Sequence, residues 1–156
     1  MISIDIPDFG PLELHHLVSD YNGTLALDGF LHAGVAERIR ALAKIITIHV
    51  ITADTFGVAR EQLAGLPVTF TIIPAENQAF AKLKYIEELG AKHVVAVGNG
   101  RNDRKMFAAA ALAIALIQEE GLAAATLFEA DLVTTSVTDA LDLLDNPARI
   151  KATLRS

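Results

Sequence analysis

Short runs of β-branched and other apolar residues alternate along the chain with segments in which apolar residues recur at helical spacing. This alternation is typical of βα units. Runs that are apolar along nearly their whole length, such as residues 45–51, favour a parallel sheet that is buried on both faces. We therefore predict an α/β fold: a three-layer, Rossmann-like parallel sheet with helices on both faces.

The pattern also predicts where the individual elements lie. The predicted strands cover residues 2–6, 12–19, 45–52, 68–73, 93–97, 112–117 and 132–135. The predicted helices cover residues 34–44, 56–64, 77–89, 102–110, 122–129 and 138–144, with a further turn or two within 147–154. The Pro- and Gly-rich segment 7–11 predicts that the first two strands form a hairpin. Residues 25–33 are long enough for a β-hairpin flap but too short for a cap domain.

Composition restricts the class of protein. The 156 residues, 52% of them hydrophobic, suit a single domain over residues 1–156. A net charge of −6 with scattered basic residues argues against a nucleic-acid partner. The sequence has no cysteine, which excludes disulfides, thiolate metal sites and thiol nucleophiles. It shows neither a signal-like start nor a long apolar stretch, so we expect no membrane association and a soluble, cytoplasmic protein.

Polar or glycine-rich segments directly follow three of the predicted strands. They cover residues 20–24, 52–54 and 98–103. If the strands are parallel, these segments share the edge of the sheet at which open α/β folds bind ligands. Asp20 ends an apolar run there, and Gly23 allows the backbone to turn sharply behind it. The sequence therefore predicts one site, with Asp20 as the candidate nucleophile.

These segments resemble, in order along the chain, the motifs of the haloacid dehalogenase-like (HAD) superfamily. Residues 20–24, Asp-Tyr-Asn-Gly-Thr, are similar to the family's D-K-T-G-T segment at the first, fourth and fifth positions. Thr52 matches the second motif and Lys82 the third, and residues 98–103, Gly-Asn-Gly-Arg-Asn-Asp, are similar to the fourth, G-D-G-x-N-D. The resemblance is closest to the phosphorylation domain of P-type ATPases and their small soluble relatives.

The resemblance implies a Mg²⁺-dependent phosphohydrolase that acts through an aspartyl-phosphate on Asp20. It implies that Thr52 donates its hydroxyl to the phosphate and that Lys82 balances the negative charges. The alternatives are a turn role for Asp20, a helix-cap role for Thr52 and a surface position for Lys82. Lys84 is the rival candidate for the site lysine.

The same resemblance implies an oxygen-ligand site for Mg²⁺. Its expected ligands are Asp20, Asn99, Asp103 and the backbone carbonyl of Asn22. The expected contacts with the phosphorylated substrate, whose identity the sequence does not give, are Gly23, Thr24 and Asn102. Asn102 is equally well explained as a cap of the helix that begins there.

Two positions depart from the family pattern. Asn22 stands where most phosphatases of the superfamily have the aspartate that serves as general acid and base, and Asn99 stands where the metal site usually has an aspartate. Because an amide does not shuttle protons at neutral pH, we expect slow turnover. The alternative is a catalytically degenerate HAD-fold protein with a binding or regulatory role.

Two further expectations concern a neighbouring subunit and the histidines. In the family that the chain resembles, members without a cap act on large substrates or close the open site with a neighbouring subunit. A homo-oligomer is therefore one expectation, with the segments 2–6 and 30–31 as candidate contacts, and a buried flap is the alternative for residues 30–31. The five histidines do not match a zinc-binding spacing, and we predict no metal role for them.

Overall fold

The computed structural model describes residues 1–53 and 57–156. Its strands are β1 (Ile2–Ile6), β2 (Gly10–Leu14), β3 (His16–Asp20), β4 (Ala26–Leu27), β5 (Phe30–Leu31), β6 (Thr47–Thr52), β7 (Thr69–Ile72), β8 (Val94–Gly98), β9 (Leu112–Leu116) and β10 (Leu132–Thr134). Its helices are α1 (Val35–Leu42), α2 (Val58–Leu63), α3 (Gln78–Leu89), α4 (Arg104–Ala109), α5 (Ala124–Leu127), α6 (Val137–Asp145) and α7 (Pro147–Leu154). Two 3₁₀ turns cover Ala91–His93 and Arg101–Asp103.

Six of the strands form one sheet in the order β10-β9-β8-β3-β6-β7, and every neighbouring pair is parallel. All residues of β8 and β9 are buried, as a sheet that is covered on both faces requires. Alternate side chains of these strands enter two apolar clusters, one with α1, α6 and α7 and the other with α3 and α4. The prediction of a three-layer, Rossmann-like α/β fold is confirmed.

The first two strands form an antiparallel hairpin outside the six-stranded sheet. The apolar side chains of β1 are buried, and the strand packs against α7. Segment 2–6 therefore does not offer an exposed apolar contact surface, contrary to our expectation, because its apolar face belongs to the core. By contrast, Phe30 in the flap is 62% exposed.

The prediction of a single strand over residues 12–19 is wrong, because the segment is two strands that meet at His15. The His15 N–H donates to the carbonyl of His93 at 2.9 Å, and the His15 carbonyl accepts from the Thr47 N–H at 3.0 Å. The chain therefore leaves the hairpin at this residue and enters the central sheet. The apolar periodicity does not mark this transfer, since both strands carry buried apolar side chains.

Smaller differences concern the ends of elements. The strand predicted from residue 45 begins at Thr47, because the N–H groups of Ile45 and Ile46 both donate to the carbonyl of Leu42 at the end of α1. The helix predicted over 102–110 begins as a 3₁₀ turn and continues as α4. The start of the helix predicted over 56–64, and Asp54 at the end of the second motif, lie outside the described residues.

The flap prediction is met by β4 and β5, which pair as a two-stranded antiparallel hairpin. Within the described ranges, no helix has the length and apolar character needed to cross a bilayer.

Candidate functional site

The topology of the sheet brings the polar segments to one place. Asp20 is the last residue of β3, which lies between β6 and β8 at the centre of the sheet. Thr52 ends β6, and Gly98 ends β8. Because the three strands are parallel, the segments that follow them meet at the carboxyl edge of the sheet.

Lys82 of α3 connects two of these segments. Its ammonium Nζ donates to Asp20 Oδ1 at 2.9 Å and to Asp103 Oδ1 at 2.7 Å. The Lys82 side chain is 1% exposed, Asp103 is fully buried, and Asp20 keeps a 13% exposed side chain. Asp20 is thus the member of the triad that a molecule in solution reaches. By contrast, Lys84 is exposed and lies 3.9 Å from Glu88 on the outer face of the same helix.

The charges of this triad do not balance. Two carboxylates and one ammonium leave one net negative charge in a desolvated site. Burial and the neighbouring Asp20 raise the pKa of Asp103 to about 6, although Lys82 opposes this shift. Burial alone would lower the pKa of Lys82, but Asp20 and Asp103 together raise it above its usual value. The lysine therefore stays charged at neutral pH, and the triad is one positive charge short of neutrality.

Asp103 is positioned by the backbone of the loop that follows β8. Its Oδ2 accepts from the N–H groups of Asn99 at 3.0 Å and of Gly100 at 2.9 Å. Gly98 makes this approach possible, because a Cβ at that position would overlap the Asp103 carboxylate. The Asp103 carboxylate thus has hydrogen-bond donors on both oxygens, which explains how a fully buried acid is tolerated.

The loop after β3 is held against the loop after β8. The hydroxyl of Thr24, which is fully buried, donates to Asn99 Oδ1 at 3.2 Å. Asn99 Nδ2 donates in turn to the carbonyl of Gly121 at 3.0 Å. Gly23 has a left-handed backbone with φ of +77°, and a Cβ there would lie 2.9 Å from Asn99 Nδ2, so the turn favours glycine. In this arrangement the Thr24 hydroxyl bonds within the protein, and our prediction that Thr24 contacts substrate stays a prediction.

Asn22 connects the same loop to the flap. Its side-chain Oδ1 accepts from the N–H of Gly29 at 3.1 Å. The hydroxyl of the neighbouring Tyr21 donates to the Gly29 carbonyl at 2.7 Å. The N–H and the carbonyl of Gly29 in the flap are therefore both hydrogen-bonded to residues that directly follow Asp20.

Asn102 does not cap the helix that follows it. Its Nδ2 donates to Gln78 Oε1 at 2.6 Å, and its Oδ1 lies 3.5 Å from Lys82 Nζ. The N-cap position of α4 is occupied by Asp103. Asn102 thus joins the loop after β8 to the first turn of α3, beside the ammonium. Thr52 is 4% exposed, and its backbone carbonyl accepts from the N–H of Ile73 at 2.9 Å.

Sequence reasoning missed Gln118, which follows β9 at the same edge of the sheet. Its Nε2 donates to the carbonyls of Gly23 at 3.2 Å and Thr24 at 3.0 Å, and its Oε1 accepts from the N–H of Val137 at 2.8 Å. The rule that drew attention to the other three loops could have found it, because Gln118 begins a polar segment close behind a buried strand.

The residues at this edge fit a hard divalent cation. Asp20, Asp103 and Asn99 offer carboxylate and amide oxygens, which are the ligands Mg²⁺ prefers. The triad carries a net negative charge, and burial together with Asp20 raises the pKa of Asp103, so added positive charge is expected to stabilise the site. Asn22 could contribute its backbone carbonyl, since its side chain is bonded to the flap.

No family model matches the sequence. The chain is 42% identical over 83 residues to the uncharacterized protein MJ0073 of Methanocaldococcus jannaschii, and this match covers 51% of the chain and 89% of that protein. The chain belongs to the same family as MJ0073.

The fold of this member of the MJ0073 family is HAD-like. It is similar to 3-deoxy-D-manno-octulosonate 8-phosphate phosphatase of Moraxella catarrhalis, solved with magnesium, phosphate and KDO, with a TM-score of 0.70, 18% identity, and coverage of 91% of this chain and 94% of that one. It is also similar to a Legionella pneumophila protein assigned to HAD subfamily III A, with a TM-score of 0.72, 18% identity, and coverage of 90% and 87%. The expected closeness to P-type ATPases stays a prediction.

Proposed function

We propose that this protein is a Mg²⁺-dependent phosphohydrolase that acts through an aspartyl-phosphate on Asp20. The observation that carries the proposal is the buried Lys82 ammonium, which bonds at once to Asp20 and Asp103. Burying three charged groups is costly, and a purely structural role is served as well by apolar side chains. The HAD-like fold, shared with a phosphatase solved with magnesium and phosphate, supports the same function.

The chain's own residues suggest how the reaction proceeds. With Oδ1 of Asp20 bonded to Lys82, the other carboxylate oxygen attacks phosphorus, and the bond from phosphorus to the leaving oxygen breaks. Lys82 stabilises the negative charge that develops on the transferred group. Water then cleaves the acyl phosphate, which releases inorganic phosphate and restores the carboxylate. A bound Mg²⁺ would neutralise charge on the phosphoryl oxygens.

Proton transfer is the weak step of this scheme. Asn22 has no proton to give to the leaving oxygen, so the proton comes from solvent, and positioned general acid–base help worth about 10²–10⁴ in rate is missing. We therefore propose slow turnover. The neutral amides of Asn22 and Asn99 also favour a second candidate function, in which a catalytically degenerate member of the fold binds a phosphorylated ligand.

Trapping the covalent intermediate tests the proposal. The protein is incubated with Mg²⁺ and acetyl phosphate, and the intact mass and the modified peptide are measured. We expect a phosphoryl adduct on Asp20 that Asp20→Asn abolishes. Asp8→Asn, which changes an aspartate in the distant β1–β2 turn, is the matched control and should label normally. Absence of an adduct in the wild type, with phosphate still bound, would favour the binding role.

Asn22→Asp provides a gain-of-function test. The new carboxylate can still accept from the Gly29 N–H, so the flap contact is preserved. We expect hydrolysis of a generic phosphate ester to rise by about 10²-fold or more. Asn22→Ser, which retains a small polar side chain without an acid, should not show this increase. If neither variant exceeds the wild-type rate, the missing proton donor is not what limits turnover.

A further inference from the structure

Three metal-ligating side chains meet at the end of the sheet opposite the Asp20 site. Their donor atoms, one each from Glu13, His15 and His93, all lie within 4.8 Å of one another. Glu13 is in β2, His15 lies between β2 and β3, and His93 ends the 3₁₀ turn that precedes β8. We propose that these residues form a binding site for a transition-metal ion of the zinc class.

The backbone already holds the ligands together. His93 Nδ1 lies 3.0 Å from the carbonyl oxygen of Glu13, which accepts a hydrogen bond and therefore places the proton on Nδ1. The lone pair of His93 Nε2 is then available to a metal. Histidines that bind metals commonly donate their other N–H in this way, and the bond fixes both the tautomer and the ring. The backbone N–H of His15 donates to the carbonyl of His93 at 2.9 Å. His93 is therefore hydrogen-bonded to both of the other residues, Glu13 and His15.

The donor geometry needs only side-chain adjustment. Around a tetrahedral ion with bonds of about 2.1 Å, neighbouring donor atoms lie roughly 3.4 Å apart. Glu13 and His15 are exposed and His93 is half-buried, so the side chains of Glu13 and His15 have room to rotate toward a shared ion. The His15 and His93 rings already lie 4.6 Å apart between centroids.

The donor set selects the class of ion. Two imidazole nitrogens and one carboxylate oxygen suit Zn²⁺ and neighbouring first-row metals, whereas Mg²⁺ prefers oxygen ligands alone. The adjacent His16 is committed elsewhere, since its Nδ1 lies 3.1 Å from Nε2 of His49. Three protein ligands leave a fourth position for water or for a ligand from another molecule.

The site would join separate parts of the fold. It links the β1–β2 hairpin, which pairs outside the central sheet, to the entry of β8. It is separate from the Asp20 site, because the five residues of β3 span about 15 Å between the two edges of the sheet. We therefore expect the ion to stabilise the attachment of the hairpin without contacting the Asp20 triad.

The test is titration of the full chain with Zn²⁺ by calorimetry, with Mg²⁺ in large excess to occupy oxygen-only sites. We expect one ion per chain with micromolar affinity or tighter. His15→Gln and Glu13→Gln should each weaken binding by about 10-fold or more, and neither change removes the backbone groups that hold the loop. His32→Gln, a histidine near the flap, is the matched control, and Asp103→Asn tests the other site. Both should bind Zn²⁺ like the wild type.

Thermal unfolding supplies a second readout. At a hundredfold excess of Zn²⁺ over its Kd, we expect the melting temperature of the wild type to rise by about 5–10 °C, and that of His15→Gln to rise much less. The proposal is overturned if Zn²⁺ binding is lost in Asp103→Asn but retained in the Glu13 and His15 variants. It is overturned equally if binding is only millimolar, which would indicate an adventitious ion only.

Discussion

Replacing Lys82 with methionine tests the electrostatic basis of the candidate site. The change removes the ammonium that lies between Asp20 and Asp103 and keeps an unbranched, flexible side chain that can fill the same space. Removing one partner of a buried ion pair costs about 3–5 kcal/mol, because the remaining charge is left uncompensated. We expect a loss of this size in the free energy of unfolding at pH 8.

The loss should depend on pH, because Asp103 can take up a proton. With a pKa of about 6 in the wild type, protonating this carboxyl at pH 8 costs about 3 kcal/mol. Without Lys82 the pKa rises further, so protonation becomes easier. When the pKa of a carboxyl is higher in the folded state than in the unfolded state, the free energy of unfolding of the protein rises as the pH falls. The difference between Lys82→Met and the wild type should therefore shrink from pH 8 to pH 6.

Urea denaturation followed by circular dichroism at pH 8, 7 and 6 measures these differences. Lys84→Met is the matched control, since Lys84 lies on the same helix, is exposed and pairs weakly with Glu88. It should change stability by no more than about 0.5 kcal/mol at any pH. A loss below about 1 kcal/mol for Lys82→Met at pH 8, with no dependence on pH, would refute the reasoning.

Three further predictions follow from single contacts. Gly98→Ala should cost about 1–3 kcal/mol and lower the yield of any phosphoenzyme, because the added methyl group displaces the Asp103 carboxylate; unchanged urea midpoint and labelling would contradict this. Burial and the nearby His16 lower the pKa of His49 to about 4, so His49 should contribute a loss of up to about 3 kcal/mol as the pH falls from 6.5 to 4, against the gain that Asp103 contributes over the same range. His49→Gln should therefore become more stable relative to the wild type as the pH falls, and parallel profiles would show that another group is responsible. Asn99→Asp should lower stability by about 1–3 kcal/mol without Mg²⁺ and by less with it, as thermal unfolding with and without the ion will show.

The parallel sheet could be predicted because strands such as β8 and β9 are apolar along nearly their whole length, a pattern that is visible within each strand. All five residues of β8 and all five of β9 are apolar or glycine and are buried. The break at His15 could not be predicted, because it depends on hydrogen bonds to Thr47 and His93, which are distant in the chain. Local sequence patterns report burial, and the partner of a strand is decided by tertiary structure.

The position of the candidate site followed from the edge at which parallel strands end, but its internal contacts did not. The helical spacing around Lys82 indicated a turn of α3, whereas the side chain's two carboxylate partners depend on how that helix packs. Thr24 and Asn99 meet across 75 residues of sequence. The histidine cluster was missed for the same reason, since Glu13 and His93 are 80 positions apart and no spacing rule applies at that range.

The two asparagines that depart from the HAD pattern are not equivalent. Asn22 uses its side-chain oxygen, as an acceptor for the Gly29 N–H, and a carboxylate can make the same bond. Asn99 also uses its amide nitrogen, which donates to the Gly121 carbonyl, and a carboxylate there would face that carbonyl oxygen without a proton to share. Asn99 is 7% exposed, so the lost bond and the added charge would both be largely desolvated. Aspartate at position 22 should therefore restore chemistry at little cost in stability, whereas aspartate at position 99 requires a cation to offset its charge.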